Sequence, residues 1–232
     1  KEDKYTFAFN ELKGVLGLNK DIKKIEAYDV SHISGDHAVA SCVVFSNLGA
    51  QKKDYRLFNI PETLSGNDVG SLRHVLERRI KYYENPKIKP DVILIDGGRN
   101  QLNFTQSVID SSKYSDIKII SIVKGSNRVR ATETILSNDG IIELEKYSKA
   151  YLLLQEIRDE SHRFAITAQR KKKRGNIKQS RLDQINGIGD VLKKRLILKY
   201  KNIKSIKDAN IEDLMTVRGI NAKIAKQIKE KL

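Results

Sequence analysis

The sequence predicts an α/β domain, antiparallel in its first part and parallel in its second, followed by a small all-α domain. Three observations carry this. Apolar runs of strand length alternate with helical periods as far as about residue 172. The charge is divided: residues 1–162 hold 24 basic and 23 acidic side chains and residues 163–232 hold 20 and 6, so +14 of the net +15 lies in the last 70 residues. Finally, that basic end repeats itself. With 232 residues, 39% of them hydrophobic, there is enough apolar surface for a medium domain with its own core and a smaller one beside it.

A helical, partly polar lead-in runs from Lys4 to Leu18. Three β-rich runs follow, Lys24 to Ile33, His37 to Ser46 and Lys53 to Ile60; the turn residues Ser34-Gly35-Asp36 and Ser46-Asn47-Leu48-Gly49 make them a meander. Gly66 to Tyr83 places Val69, Leu72, Val75, Leu76, Ile80 and Tyr83 at a helical period. An apolar run from Asp91 to Asp96 ends in Gly97-Gly98, then come a helix to about Ser111 and a second buried run, Ile117 to Val123. Continuous apolar strands separated by a helix imply parallel pairing beneath helices. Thr134 to Leu136 and Ile141 to Leu144 form a hairpin turning on Asn138-Asp139-Gly140, and a helical stretch from about Ser148 to Lys172 closes the unit.

Arg170 to Arg174 is an uninterrupted basic run and Gly175 to Ser180 is polar, so we expect one domain over 1–173, an unstructured linker over 174–180 and a second domain over 181–232. The run, with Lys171, Lys172 and Lys173, reads either as solvated linker or as a DNA-contacting patch. A tail this basic, in a chain with no apolar run long enough to cross a bilayer, points first to nucleic acid and more weakly to a membrane surface. The single cysteine, Cys42, excludes an internal disulfide and a cysteine-based zinc cluster, and fits a reducing cytoplasm. Because the chain begins at Lys1 and not at a methionine, we expect a piece of something longer.

Shifted by 32 residues, the tail superposes on itself: Leu182 on Leu214, Ile185 on Val217, Gly187 on Gly219, Ile188 on Ile220, Leu192 on Ile224 and Leu196 on Ile228. Each copy reads as a short helix, a glycine turn and an amphipathic helix, with Ile185-Asn186-Gly187-Ile188-Gly189 in one and Val217-Arg218-Gly219-Ile220-Asn221 in the other. This resembles the tandem helix-hairpin-helix domain. A turn glycine permits φ > 0 and close backbone approach, and the helix after it offers N–H groups and its positive end to a phosphate. The resemblance implies that two such copies grip both strands of a duplex through the minor groove, positioning without reading sequence. The competing reading is a helical hairpin whose glycines merely cap helices. Asn221 stands where the first copy has Gly189, which sets the second phosphate contact apart; Asn tolerates the left-handed conformation, so the turn survives.

In the first domain, Ile25, Ala27 and Asp29 alternate on one face of a strand, and an acid on an otherwise apolar face needs a partner or a metal. Asp96 ends a buried parallel strand at the carboxyl edge, where open α/β sheets bind ligands. If those strands are neighbours, two carboxylates converge, as a hard divalent cation prefers. His162, in Arg158-Asp159-Glu160-Ser161-His162, lies on the closing helix; such a histidine is otherwise a surface or capped residue. Asp159 and Glu160 read as facing solvent or basic neighbours.

Together, Ile25 to His32 (IEAYDVSH), Ala38 to Phe45 (AVASCVVF), Asp91 to Gly98 (DVILIDGG) with Gln101-Leu102, and Ile157 to His162 (IRDESH) resemble the C-terminal half of the UvrC family, the nuclease subunit of the bacterial UvrABC excinuclease. The resemblance implies an RNase H-like mixed sheet with flanking helices and an Asp-Asp-His active site, matched by Asp29, Asp96 and His162. A further family acid, in a Gly-Asp-Asp-Tyr stretch, is matched by Asp68 in Gly66-Asn67-Asp68-Val69, with departures at Asn67 and Val69. Arg99-Asn100 stands where the family often has Lys-Gly, and Arg99 keeps the positive charge for a phosphate. Lys124 to Arg130 matches loosely, and His32, placed by strand alternation on the face away from Asp29, is not expected to be a ligand.

The activity implied is a metal-dependent endonuclease, with Asp29 and Asp96 holding Mg2+ or Mn2+ and His162 either a further ligand or an aid to the leaving oxygen. In this family the RNase H-like half makes the 5′ cut at a lesion and an amino-terminal GIY-YIG nuclease, not found in this sequence, makes the 3′ cut. The partners implied are damaged double-stranded or bubble DNA and UvrB, with UvrA acting upstream; no short helical region for UvrB is evident. Two other readings compete: a catalytically silent RNase H-like DNA-binding scaffold, and a nuclease for RNA–DNA hybrids or branched junctions, since a fold does not name a substrate. The duplicated hairpins favour duplex or bubble DNA over RNA.

Overall fold

The structure is a computed structural model that describes residues 2–31, 38–64, 66–123, 133–183 and 185–232, with the side chains of 2, 3, 169–181 and 183 outside the description. It divides into two compact units, Lys1–Ala168 and Gln169–Leu232.

In the first unit the long apolar segments pair into one mixed sheet. β1 (Lys24–Ser31) runs antiparallel to β2 (Val39–Ser46), in the register Lys24↔Ser46 through Ser31↔Val39. The far edge of β2 takes β3 (Gly49–Ala50) and then β4 (Arg56–Asn59), the meander expected, except that a 3-10 turn at Lys52–Asp54 occupies the start of the third predicted strand. The other edge of β1 takes β5 (Val92–Asp96) in parallel; β6 (Lys118–Val123) adds in parallel, and the hairpin β7 (Thr134–Ser137) and β8 (Gly140–Ile142) follows antiparallel. The order β3-β2-β1-β5-β6-β7-β8, with β4 on β2, is the RNase H-like mixed sheet that the resemblance implied.

Helices cover both faces, which is why β5 reads as unbroken apolar residues. On one face lie α1 (Glu2–Val15) and α4 (Lys149–Asp183): Glu11 accepts the Ala150 N–H at 2.6 Å, closing the first turn of α4, and the Ser161 hydroxyl meets Ser41 of β2 at 2.9 Å. On the other lie α2 (Asp68–Ile80) and α3 (Arg99–Asp110), with Leu72, Val75 and Leu76 of α2 and Leu102 and Ile109 of α3 buried.

The expected linker at 174–180 is a correction: the backbone is helical there, inside the 35 residues of α4. Lysine, arginine and glutamine are good helix formers, and one glycine costs a propagating helix about 1 kcal/mol. Beyond it α5 (Asp190–Tyr200), α6 (Ile203–Asp208), α7 (Ile211–Met215) and α8 (Ala222–Lys231) pack around Leu182, Ile185, Ile188, Leu196, Leu214, Val217, Ile220 and Ile228, a core separate from the first. Among the described residues no helix is long and apolar enough to cross a membrane.

Candidate active site

Parallel pairing of β1 with β5 sets Tyr28 against Ile95, so the next residues, Asp29 and Asp96, leave the sheet side by side. Asp29 is also paired with Ser41, and residues opposed in a ladder share a face; that face carries α4. The helix is fixed there by the buried Ser41–Ser161 pair, by Tyr55 donating to Glu160 at 3.1 Å, and by Phe164 edge-on to Tyr55 at 5.1 Å. One residue past Ser161, His162 brings Nδ1 to 3.2 Å from Asp29 Oδ2, an oxygen that also accepts the Ser31 hydroxyl at 2.9 Å.

One ligand atom each from Asp29, Asp96 and His162 lies within 4.8 Å of the others. Ligands about 2.1 Å from one octahedral cation stand about 3 to 4 Å apart, so this donor set fits a divalent ion with small side-chain adjustment. Two carboxylates this close repel unless a cation lies between them, and oxygen with imidazole donors suits Mg2+ or Mn2+. Asp29 is 7% exposed while the His162 side chain is 54% exposed, so the cluster opens to solvent on the histidine side. Asp159 pairs with Arg158, and Arg163 holds the Glu160 carboxyl below the usual range, which agrees with the solvent-facing or cation-paired role expected of both acids.

Asp68 is not in this group. It stands at the start of α2 in a neighbouring cleft of about 370 Å³, with Val69, Gly98, Arg99, Asn100 and Gln101. The departure at Asn67 has a structural use: its side chain accepts the Gly70 N–H at 2.8 Å and caps α2, as Asp would. Arg99 borders the same cleft and reaches the Ser137 carbonyl at 3.4 Å. His32 and Lys124 to Arg130 lie outside the described residues, as do the side chains of Lys171, Lys172 and Lys173.

Sequence reasoning missed the other acid of β1. Glu26, fully buried, accepts Arg79 Nε at 3.1 Å and Nη2 at 2.5 Å on one oxygen, and the hydroxyls of Tyr28 at 2.6 Å and Tyr83 at 2.7 Å on the other. Burial works against the Arg79 charge, but Glu26 outweighs it and holds the guanidinium protonated above its ordinary range. Burial, with nearby negative charge, pushes the Tyr28 and Tyr83 hydroxyls well up. The signal was present: Arg79 falls in helical phase with Leu72, Val75 and Leu76, on the stripe that faces the sheet.

In the second unit both turn glycines adopt the left-handed region, Gly187 at φ +90° and Gly219 at φ +101°. Each seats against the other copy. A Cβ on Gly187 would meet Ile224 at 3.3 Å and one on Gly219 would meet Leu192 at 2.7 Å, and Leu192 and Ile224 are equivalents under the 32-residue shift. The copies differ at the next helix start. Gly189 offers α5 no side-chain cap, whereas the Asn221 side chain accepts the Ile224 N–H of α8 at 2.9 Å, taking up one of the groups a phosphate would use.

Residues 13–166 match the family described as the UvrC RNAse H endonuclease domain, and residues 180–232 match the SAM-like helix-hairpin-helix tandem. The UvrABC system protein C of Legionella pneumophila (strain Paris) is 36% identical over 224 residues, 96% of this chain and 36% of that protein. That of Nitrosococcus oceani is 38% identical over 225 residues, 96% of this chain and 37% of that protein. The chain thus spans a little over a third of the length of these curated relatives. Among solved structures, endonuclease V from Streptomyces avermitilis is similar over 75% of this chain and 95% of its own at 12% identity, with a TM-score of 0.39.

Proposed function

The chain belongs to the UvrC family, and from that premise we propose that it is a metal-dependent DNA endonuclease, making the 5′ incision at lesions in bacterial nucleotide excision repair in the cytoplasm. The observation that carries the proposal is the gathering of Asp29, Asp96 and His162 at the open edge of the sheet. Asp29 and Asp96 hold one or two Mg2+ or Mn2+ ions, and Ser31 orients Asp29 from the side. A divalent cation so held polarises a phosphodiester and lowers the pKa of water. His162, set by α4 and half open to solvent, either completes the ligand set or gives a proton to the departing oxygen; its contact with Asp29 keeps the ring directed into the site. Asp68 and Arg99 border the neighbouring cleft, the acid as a supporting group and the cation as a phosphate contact.

The hairpins supply affinity for double-stranded or bubble DNA without reading sequence. Within them Gly187 and Gly219 set the turns, while Gly189 and Asn221 start the helices that face phosphate. Lys171, Lys172 and Lys173 add charge that makes binding salt-dependent. The partners we assign are UvrB, with UvrA acting earlier in the sequence of events.

The test is nicking of a labelled bubble duplex in Mg2+ or Mn2+, with and without UvrB, beside Asp96→Asn. Metal-dependent nicking that the variant lacks is the expected result. DNA binding without nicking under every condition would move the reading to a silent scaffold.

A further inference from the structure

Two glycines follow Asp96, and the structure separates their reasons. Gly98 has open space where a Cβ would go, with nothing within 4 Å. A Cβ on Gly97 would fall on the carboxamide of Gln101, 2.5 Å from Cδ and 3.2 Å from Nε2. The backbone is not the obstacle, for Gly97 is absent from the glycines of positive φ and an alanine could adopt its conformation. What the position cannot hold is a methyl group together with the Gln101 carboxamide where it now lies; an alanine there would make the end of this flexible side chain swing away from Gly98 and Asp68.

That side chain is engaged at both ends. Gln101 Oε1 accepts the Gly98 N–H at 2.9 Å, and Nε2 reaches Asp68 Oδ2 in a long contact of 3.4 Å. An amide has one accepting and one donating end, so it can join a backbone donor to a carboxylate, which an ionised glutamate, accepting only, could not do. One end thus stabilises the turn by which the chain leaves Asp96, and the other reaches the acid at the start of α2. Gln101 sits in the third position of α3, where the helix backbone fixes its Cβ.

Resting on the nuclease reading above, we propose that Gln101 is a positioning residue of the active site: its carboxamide couples the Asp96–Gly97–Gly98 turn to Asp68, and position 97 is glycine to make room for it. Residues that orient metal-holding side chains from behind typically change metal affinity or activity by about 10- to 100-fold when removed.

The experiment is a cycle of Gly97→Ala, Gln101→Ala and the double variant against the parent chain, read by thermal unfolding, by Mn2+ calorimetry without DNA, and by nicking. Gly97→Ala and Gln101→Ala should each weaken Mn2+ binding and nicking by about tenfold, since both take the carboxamide from its place. The double variant should match Gln101→Ala, the methyl having become harmless once the amide is gone. Losses that simply multiply in the double variant would overturn the claim about space at position 97. Gln101→Glu separates the two ends, since it keeps the acceptor for Gly98 and loses the donor to Asp68. Parental unfolding temperature with Mn2+ affinity reduced to that of Gln101→Ala is expected, and parental or tighter Mn2+ affinity would overturn the coupling to Asp68. If the parent chain neither binds Mn2+ nor nicks, the nuclease reading fails, while the unfolding temperatures still decide whether Gly97 and Gln101 compete for space.

Discussion

Strand β1 carries two acids three residues apart, and they have opposite fates. Glu26 faces α2, where both oxygens are engaged by Arg79 and two tyrosine hydroxyls and solvent is excluded. Asp29 faces α4, where it meets a serine hydroxyl and a half-exposed imidazole, and no lysine or arginine among the described residues pairs with it. A buried charge that is neutralised locally fastens a helix to a sheet; one left short of positive charge beside a second carboxylate is available to a cation. The neighbourhood distinguishes the two, and residue type does not.

That contrast is broken most severely at its functional end. Asp29→Asn or Asp96→Asn should reduce nicking by at least about ten-thousand-fold, more than 5 kcal/mol of barrier, with DNA affinity and unfolding temperature nearly unchanged. Equal loss of cutting and binding would place these acids outside the active site. Glu26→Ala should do the reverse and cost about 3–5 kcal/mol of stability by stranding the Arg79 charge, read by urea unfolding. A variant as stable as the parent would remove Glu26 from its role as fastener.

The same cluster has a pH signature. Because burial raises the Tyr28 and Tyr83 pKa values in the folded state, their contribution is complete below the unfolded value near 10 and is lost as pH rises above it. Phenolate absorbance of these two tyrosines should therefore appear only with unfolding. If a chain carrying Tyr28→Phe and Tyr83→Phe shows two fewer phenols titrating near pH 10 than the folded parent, the cluster is open to water.

Smaller effects belong to the second unit. Replacing Gly187 or Gly219 with leucine should cost about 1–2 kcal/mol through the left-handed backbone alone, more at Gly219 where Leu192 is closer, and should weaken DNA binding with the first unit still folded. Unchanged affinity in a gel-shift titration would refute the hairpin assignment. Asn221→Ala should cost about 1 kcal/mol as a lost cap, visible as a lowered unfolding temperature of the hairpin unit.

Much of this was legible because strands and helices announce their periods. Alternation put Asp29 on an inward face, the apolar run before Asp96 marked a buried parallel strand, and the 32-residue shift paired positions that are buried in both copies, such as Leu182 with Leu214 and Ile188 with Ile220. His162 was different. A helical histidine has no local signature, and only the family resemblance singled it out before the fold carried it across 133 residues to Asp29. Glu26 and Arg79 were missed because the partner lies 53 residues away in the chain, and a basic residue on an apolar stripe reads as noise until the helix is docked. The helix through 174–180 is hidden in the sequence by its polar composition, although arginine, lysine and glutamine in that stretch are good helix formers.

The crossed seating of Gly187 on Ile224 and Gly219 on Leu192 also bears on how a doubled segment can change over generations. Each half keeps, on its own helix, the side chain against which the other half's bend is formed. A bulkier side chain at 192 or 224 would be felt first in the opposite copy, so the halves are not free to diverge separately, and neither could be discarded or exchanged without deforming the one that stayed.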